Sequence, residues 1–176
     1  NGKLLNIMIE GHERIWTFNK KIKKDIKKKW LYANCIHTID LLRFFGGDIK
    51  TVYSLRKRLI EKNFDNFSAL VKFKNGLIGN YISNWYSPGG WSVKLFGNKI
   101  TVIFEPLERG YWIDKRFKRK NISLSKKDQL FKPGFYKQIK FFKQLIITKK
   151  NKWPSQNLKE ASKTMILAQK ISKISF

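Results

Sequence analysis

Residues 67–85, Phe-Ser-Ala-Leu-Val-Lys-Phe-Lys-Asn-Gly-Leu-Ile-Gly-Asn-Tyr-Ile-Ser-Asn-Trp, are the stretch on which the fold turns. Phe67, Ala69, Val71 and Phe73 alternate with Ser68, Leu70, Lys72 and Lys74, the two-residue period of a strand. Asn75-Gly76 then predicts a two-residue hairpin turn of the primed type, with a return strand from Leu77 to about Trp85. The return strand carries Tyr81 and Trp85 on one face and Ile78 and Ile82 on the other. A lone antiparallel sheet usually shows one polar face. Helices suffice to cover one side here, so the second apolar face is expected to be an interaction surface.

Working outward, the loop Ser87-Pro88-Gly89-Gly90 leads to a second hairpin, Trp91–Phe96 and Lys99–Phe104, about Gly97-Asn98. Tyr111-Trp112-Ile113 adds a short strand. Val52–Ile60 reads as a strand before the meander, and Leu4–Phe18 as one or two more. Near the end, Pro133 suits the first turn of a helix with Phe135, Ile139, Phe142 and Ile146 at helical spacing. Asn157 and Glu160 have capping-box character and open a last helix with Leu158, Ala161, Met165 and Ala168 as its stripe. Both stripes read as core. The fold class is α+β: an open, mostly antiparallel sheet of six to eight strands with helices on one face.

The helix before the meander is the chemically interesting one. Residues 33–47, Ala-Asn-Cys-Ile-His-Thr-Ile-Asp-Leu-Leu-Arg-Phe-Phe-Gly-Gly, place apolar side chains at Cys35, Ile39 and Leu42 and again at Leu41 and Phe45. That pattern predicts a helix buried on nearly every side, stopped by Gly46 and Gly47. His37, Asn34 and Asp40 are costly there unless each has a partner or a task. His37 is therefore either a hydrogen-bonded core histidine or a functional group, and Asp40 is read as structural.

His-x-x-Asp-Leu-Leu-Arg-x-x-x-Gly from His37, followed by an alternating strand, resembles the second signature of the Gfo/Idh/MocA oxidoreductases. The order of strand, His-helix, meander and two closing helices resembles the C-terminal domain of that family from about residue 3 to residue 174. The resemblance implies a single substrate-binding and oligomerisation domain over residues 1–176. It also implies an NAD(P)-dependent oxidoreductase acting on the CH-OH group of a sugar, sugar derivative or similar polyol. His37 would be the catalytic base, a role suited to a group that titrates near neutrality. Asn34, Trp30 and Tyr86 are candidate substrate contacts, although Trp30 and Tyr86 read equally well as core residues. The family usually carries an Asp four residues before this His; here that position is Ala33. A member of the same fold that has lost catalysis is the alternative within the family. The open sheet face would be the interface of a homodimer or tetramer.

Family members begin with a Rossmann domain bearing a glycine fingerprint and a Glu-Lys-Pro motif, and neither occurs here. NAD or NADP would be bound mainly by that N-terminal domain, with no cofactor-binding residue in this chain. The 176 residues suit one domain and are too few for both, so the chain is expected to be the substrate-side half of a two-domain dehydrogenase.

Composition frames the alternatives. Lys and Arg number 38 against 12 acids, a formal charge of +26, which raises the possibility of a basic nucleic-acid-binding domain. Only seven of the 38 are Arg, the residue that phosphate and base recognition favours. The abundance of Lys, Asn, Ile, Phe and Tyr, all with A/T-rich codons, accounts for the charge without such a function, and no specific nucleic acid is expected. The lysine run 20–29 reads as a solvated connector; beside a substrate pocket it would favour an anionic substrate. The run 115–120 reads as an exposed turn. Cys35 alone excludes an internal disulfide, has no metal-ligand spacing around it and suits a reducing, cytoplasmic setting. No apolar run has the length of a membrane span.

Overall fold

The computed structural model describes residues 2–18, 22–151 and 154–173. Eight strands, β1 (Leu4–Gly11), β2 (Ile49–Lys57), β3 (Asn66–Phe73), β4 (Ile78–Asn84), β5 (Trp91–Gly97), β6 (Ile100–Phe104), β7 (Gly110–Asp114) and β8 (Arg119–Ile122), form one sheet. Their order is β2-β3-β4-β1-β5-β6-β7-β8. Every neighbouring pair is antiparallel except β1 with β4, which is parallel. The helices are α1 (Lys24–Lys28), α2 (Trp30–Ala33), α3 (Ile36–Gly46), α4 (Lys126–Leu130), α5 (Phe135–Thr148) and α6 (Leu158–Ile171). The α+β architecture with an open, mostly antiparallel sheet is as expected.

The alternation in β3 is realised in full: Phe67, Ala69, Val71 and Phe73 are all buried. They meet Ile7, Ile9 and Tyr81 from the sheet, and Ile39, Leu42, Leu167 and Ile171 from α3 and α6. On the other face, Tyr53, Leu55, Leu70, Ile78 and Phe96 are exposed, and the registers of β2, β3, β4, β1 and β5 bring them to the same side as Ile82.

Several local expectations are corrected. The turn after β3 has three residues, Lys74-Asn75-Gly76, closed by Gly76 N–H to Phe73 O (3.1 Å) and Phe73 N–H to Leu77 O (2.9 Å). Only Gly76 has positive φ, so this is an ordinary turn followed by a left-handed glycine rather than the primed pair. Asn75 is held instead by its side chain, which donates to Gly46 O at 3.0 Å. The second hairpin turns one residue later, at Asn98-Lys99.

Helix α3 is buried on one face, not nearly all round. Thr38, Ile39, Leu42, Arg43 and Gly46 are buried, while His37 and Phe44 are exposed. Its two glycines serve different ends. Gly47, at φ 86°, is the stop, donating to Arg43 O at 2.7 Å. Gly46 is the last helical residue, and a Cβ there would lie 2.2 Å from the Phe73 ring. Asp40 is structural, accepting from Thr164 Oγ1 (2.6 Å) and Gln156 Nε2 (2.7 Å) and so tying α3 to α6.

Of the two closing helices only α6 enters the core. Asn157 caps it by accepting from Glu160 N–H at 2.9 Å. Its buried stripe is Thr164, Leu167, Ala168 and Ile171, whereas Leu158 and Met165 are exposed. No residue of α5 is buried, and Phe135, Ile139, Phe142 and Ile146 are all exposed. The basic run is solvated: its described part contains the short helix α1, no residue of which is buried, while Lys20 and Lys21 lie outside the described residues. The run 115–120 is a turn only in its first part, because Arg119 and Lys120 belong to β8.

Candidate active site

Three segments converge beyond the end of β1. Residues 12–15 run between the sheet and the 87–90 loop, held by His12 N–H to Gly90 O (3.3 Å), Glu13 N–H to Asn84 O (2.8 Å) and Ile15 N–H to Trp85 O (3.1 Å). Trp91 opens β5 opposite Gly11. The third segment is the junction of α2 and α3, where Asn34 and Cys35 interrupt the helical path before His37.

Glu13 ties the three together. Its Oε1 accepts from Asn34 Nδ2 at 2.7 Å and from Trp91 Nε1 at 2.8 Å, with Cys35 Sγ at 4.0 Å. The residue is 7 % exposed. Burial pushes its carboxyl above the usual carboxylate range, and the hydrogen bonds from Trp91 and Asn34 offset part of that rise. Burial, together with the nearby Glu13 charge, pushes the Cys35 thiol up to about 12, which leaves it un-ionised and unreactive.

His37 stands in the first turn of α3, its N–H donating to Asn34 O at 3.3 Å and its ring 6.0 Å from that of Trp91. The residue is exposed, and its imidazole makes no hydrogen bond among the described residues. Trp91 in turn walls a cleft of about 240 Å³ with Phe18, Glu13, Glu108, Arg14 and His12. Two carboxylates, a guanidinium and two aromatic faces make a lining suited to a polyhydroxylated ligand, whose hydroxyls donate and accept and whose C–H faces lie on rings. None of the described lysines of the 20–29 run lines this cleft.

The structure thus brings His37 and Asn34 together with Glu13 and Trp91. Trp30 and Tyr86 belong to neighbouring clusters. Trp30 packs against the core behind the exposed Phe18, with ring centroids 6.4 Å apart, and its indole N–H is buried with no partner among the described residues. The Tyr86 hydroxyl donates to the Glu61 carboxylate, which also takes Lys27 Nζ at 2.5 Å. Its ring lies beside Trp16 at 6.3 Å. Glu13 and Trp91 were not singled out from sequence. The acid follows a strand in an unremarkable His-Glu-Arg run, and only the crossing of residues 12–15 with β5 shows what it meets.

A dinucleotide needs a strand that passes through a glycine-rich turn into a helix N-terminus. Among the described residues no strand does so, and the residues present do not fit that group on their own. A second groove, of about 220 Å³, is lined by Arg43, Asp48, Lys74 and Lys163. Two of its cations are paired, Arg43 with Glu160 (2.8 Å) and Lys163 with Asp48 (3.0 Å).

The family model of the GFO/IDH/MocA C-terminal domain matches residues 5–104. No curated protein matches the chain. Among solved structures, UDP-N-acetylglucosamine 3-dehydrogenase from Acidithiobacillus ferrooxidans superposes with a TM-score of 0.76 at 14% identity, over 97% of this chain and 53% of that one. Levoglucosan dehydrogenase in complex with NADH gives 0.78 at 13% identity, over 97% and 56%. The same enzyme with NADH and levoglucosan gives 0.76 at 13% identity, over 97% and 56%. The chain spans about half the length of these proteins, and at this identity the likeness is one of fold.

Proposed function

Because the chain belongs to the GFO/IDH/MocA oxidoreductase family as its C-terminal domain, we propose that it is the substrate-side half of an NAD(P)-dependent oxidoreductase of sugars, sugar derivatives or similar polyols. The observation that carries this reading is the exposed His37 imidazole beside a cleft walled by Trp91 and Phe18 and studded with Glu13, Glu108 and Arg14. His37 takes the proton of the substrate hydroxyl on an open ring nitrogen, a task matched to imidazole near neutral pH. Asn34 and the cleft side chains hold the other hydroxyls, and Trp91 offers a face to the ring. Trp30 and Tyr86 act at one remove, Trp30 by supporting Phe18 and Tyr86 by bracing the neighbouring wall.

NAD or NADP is assigned to an N-terminal Rossmann domain outside this chain. No part of the present reading passes through a cofactor step. The named substrates of the fold neighbours, levoglucosan and UDP-N-acetylglucosamine, define the class to try first. No described helix is long and apolar enough to cross a membrane; a cytoplasmic setting is the one in which the lone buried thiol and a soluble nicotinamide pool sit together.

The test is made on the protein that carries this chain together with its Rossmann domain. His37→Ala should lower kcat at least about a hundredfold, the scale of general-base loss, while cofactor affinity by calorimetry stays unchanged. Full turnover in that variant would remove His37 from the chemistry.

A further inference from the structure

We infer that Glu13 is the positioning residue of this site, its single oxygen Oε1 fixing Asn34 on the helix side and Trp91 on the sheet side about His37. The inference rests on the reading of His37 as the proton acceptor. Position 33, one helical turn before His37, is Ala and exposed, and the acid of α3, Asp40, is engaged with Thr164 and Gln156. The acid comes instead from the far end of β1.

Three observations support a site built around this oxygen. Glu13 faces no ion pair with any described residue, in a chain with 38 basic side chains, so its carboxylate is not there to neutralise a charge. Its two donors come from segments 57 residues apart, Asn34 and Trp91, and Trp91 has no other polar group with which to fix its indole plane. The Trp91 ring lies 6.0 Å from the His37 ring with 41° between their planes, so any swing of the indole changes what lies beside the imidazole. A buried acceptor that loses one of two donors, or two donors that lose their acceptor, pays desolvation without return. Glu13 therefore holds one arrangement of the amide, the indole and the imidazole against the alternatives their side-chain torsions allow.

Glutamine keeps an sp² oxygen where Oε1 stands and can still accept from both donors; alanine keeps neither bond. The test compares Glu13→Gln and Glu13→Ala by NMR of the 176-residue protein, with the His37 ring signals identified by their loss in His37→Gln. In Glu13→Ala the His37 ring protons should move as the Trp91 ring current is lost, and the Trp91 indole N–H signal should shift upfield as its hydrogen bond is released. Core signals such as the Val71 and Leu42 methyls should stay in place. Glu13→Gln should restore both signatures. Signals of His37 and Trp91 that stay unmoved in Glu13→Ala would overturn the assignment, and so would a Gln variant as displaced as the Ala variant. Because the readout needs no turnover, the proposal can fail while His37→Ala still abolishes activity, and the reverse outcome is equally distinguishable.

Discussion

Glu13 has a consequence for stability as well as for the site. Its carboxyl titrates above the usual 4.5 because burial opposes the charge. For a group raised in the folded state, the stabilising contribution is complete below the ordinary value and is lost as pH climbs through the raised one. Folding stability should therefore decline through the mildly acidic range as Glu13 ionises, with a slope bounded by about 1.4 kcal/mol per pH unit for one proton. Glu13→Gln removes that slope. Denaturant melts of both proteins at a series of pH values check this, and curves that run parallel would show that Glu13 does not titrate in the interior. Sequence could name His37 through its motif and Asn34 as its neighbour three residues earlier. It could not name Glu13, because the acid's partners lie 21 and 78 residues away and nothing in its own neighbourhood marks it.

At the scale of elements, the strands were legible because burial on one face writes a period of two into the sequence, and β3 shows it without exception. The helices were harder. Helix α6 carries overlapping apolar sets, and its packing on β2 and α3 buries Thr164, Leu167, Ala168 and Ile171 and leaves Leu158 and Met165 exposed. Helix α5 is amphipathic by sequence, yet its apolar face meets no core, which periodicity alone cannot reveal. The contact of α3 with the sheet supplies a sharp prediction. Gly46 lets the helix end press on Phe73, and a methyl at 2.2 Å from that ring cannot be accommodated without moving the helix or the strand. Gly46→Ala should cost about 3 kcal/mol, at the upper end for overpacking, lowering Tm by roughly 6–12 °C for a domain of this size. A calorimetric Tm within a degree of wild type would mean that the helix end and β3 separate freely.

For the whole molecule, the unclothed sheet face is the dominant surface feature. Tyr53, Leu55, Leu70, Ile78, Ile82 and Phe96 lie on one side of five adjacent strands. Covering a standard interface at roughly 25 cal/mol per Å² of apolar area is enough to offset the entropy of association. We expect a homodimer through this face, or a tetramer built on it. A formal charge of +26 on each copy opposes association, so the assembly should tighten as salt is added. Sedimentation velocity at low and high salt checks this, with Ile82→Lys expected to weaken the dimer at least tenfold, about 1.4 kcal/mol. A protein that remains monomeric at high salt and high concentration would remove the open face from the assembly.

The place of β1 in the sheet order carries a kinetic meaning. The meander β2-β3-β4 and the meander β5-β6-β7-β8 each join strands that follow one another in the chain, so each can close over short loops. Only β1 bridges them, and its partners in β4 and β5 lie about 70 and about 90 residues further along. Within this domain the first strand thus waits longest in the growing chain for the neighbours on both its sides. Until it finds them, Ile7 and Ile9 are without the core that buries them, and the growing chain carries two half-sheets with unpaired edges where the finished protein has one continuous ladder.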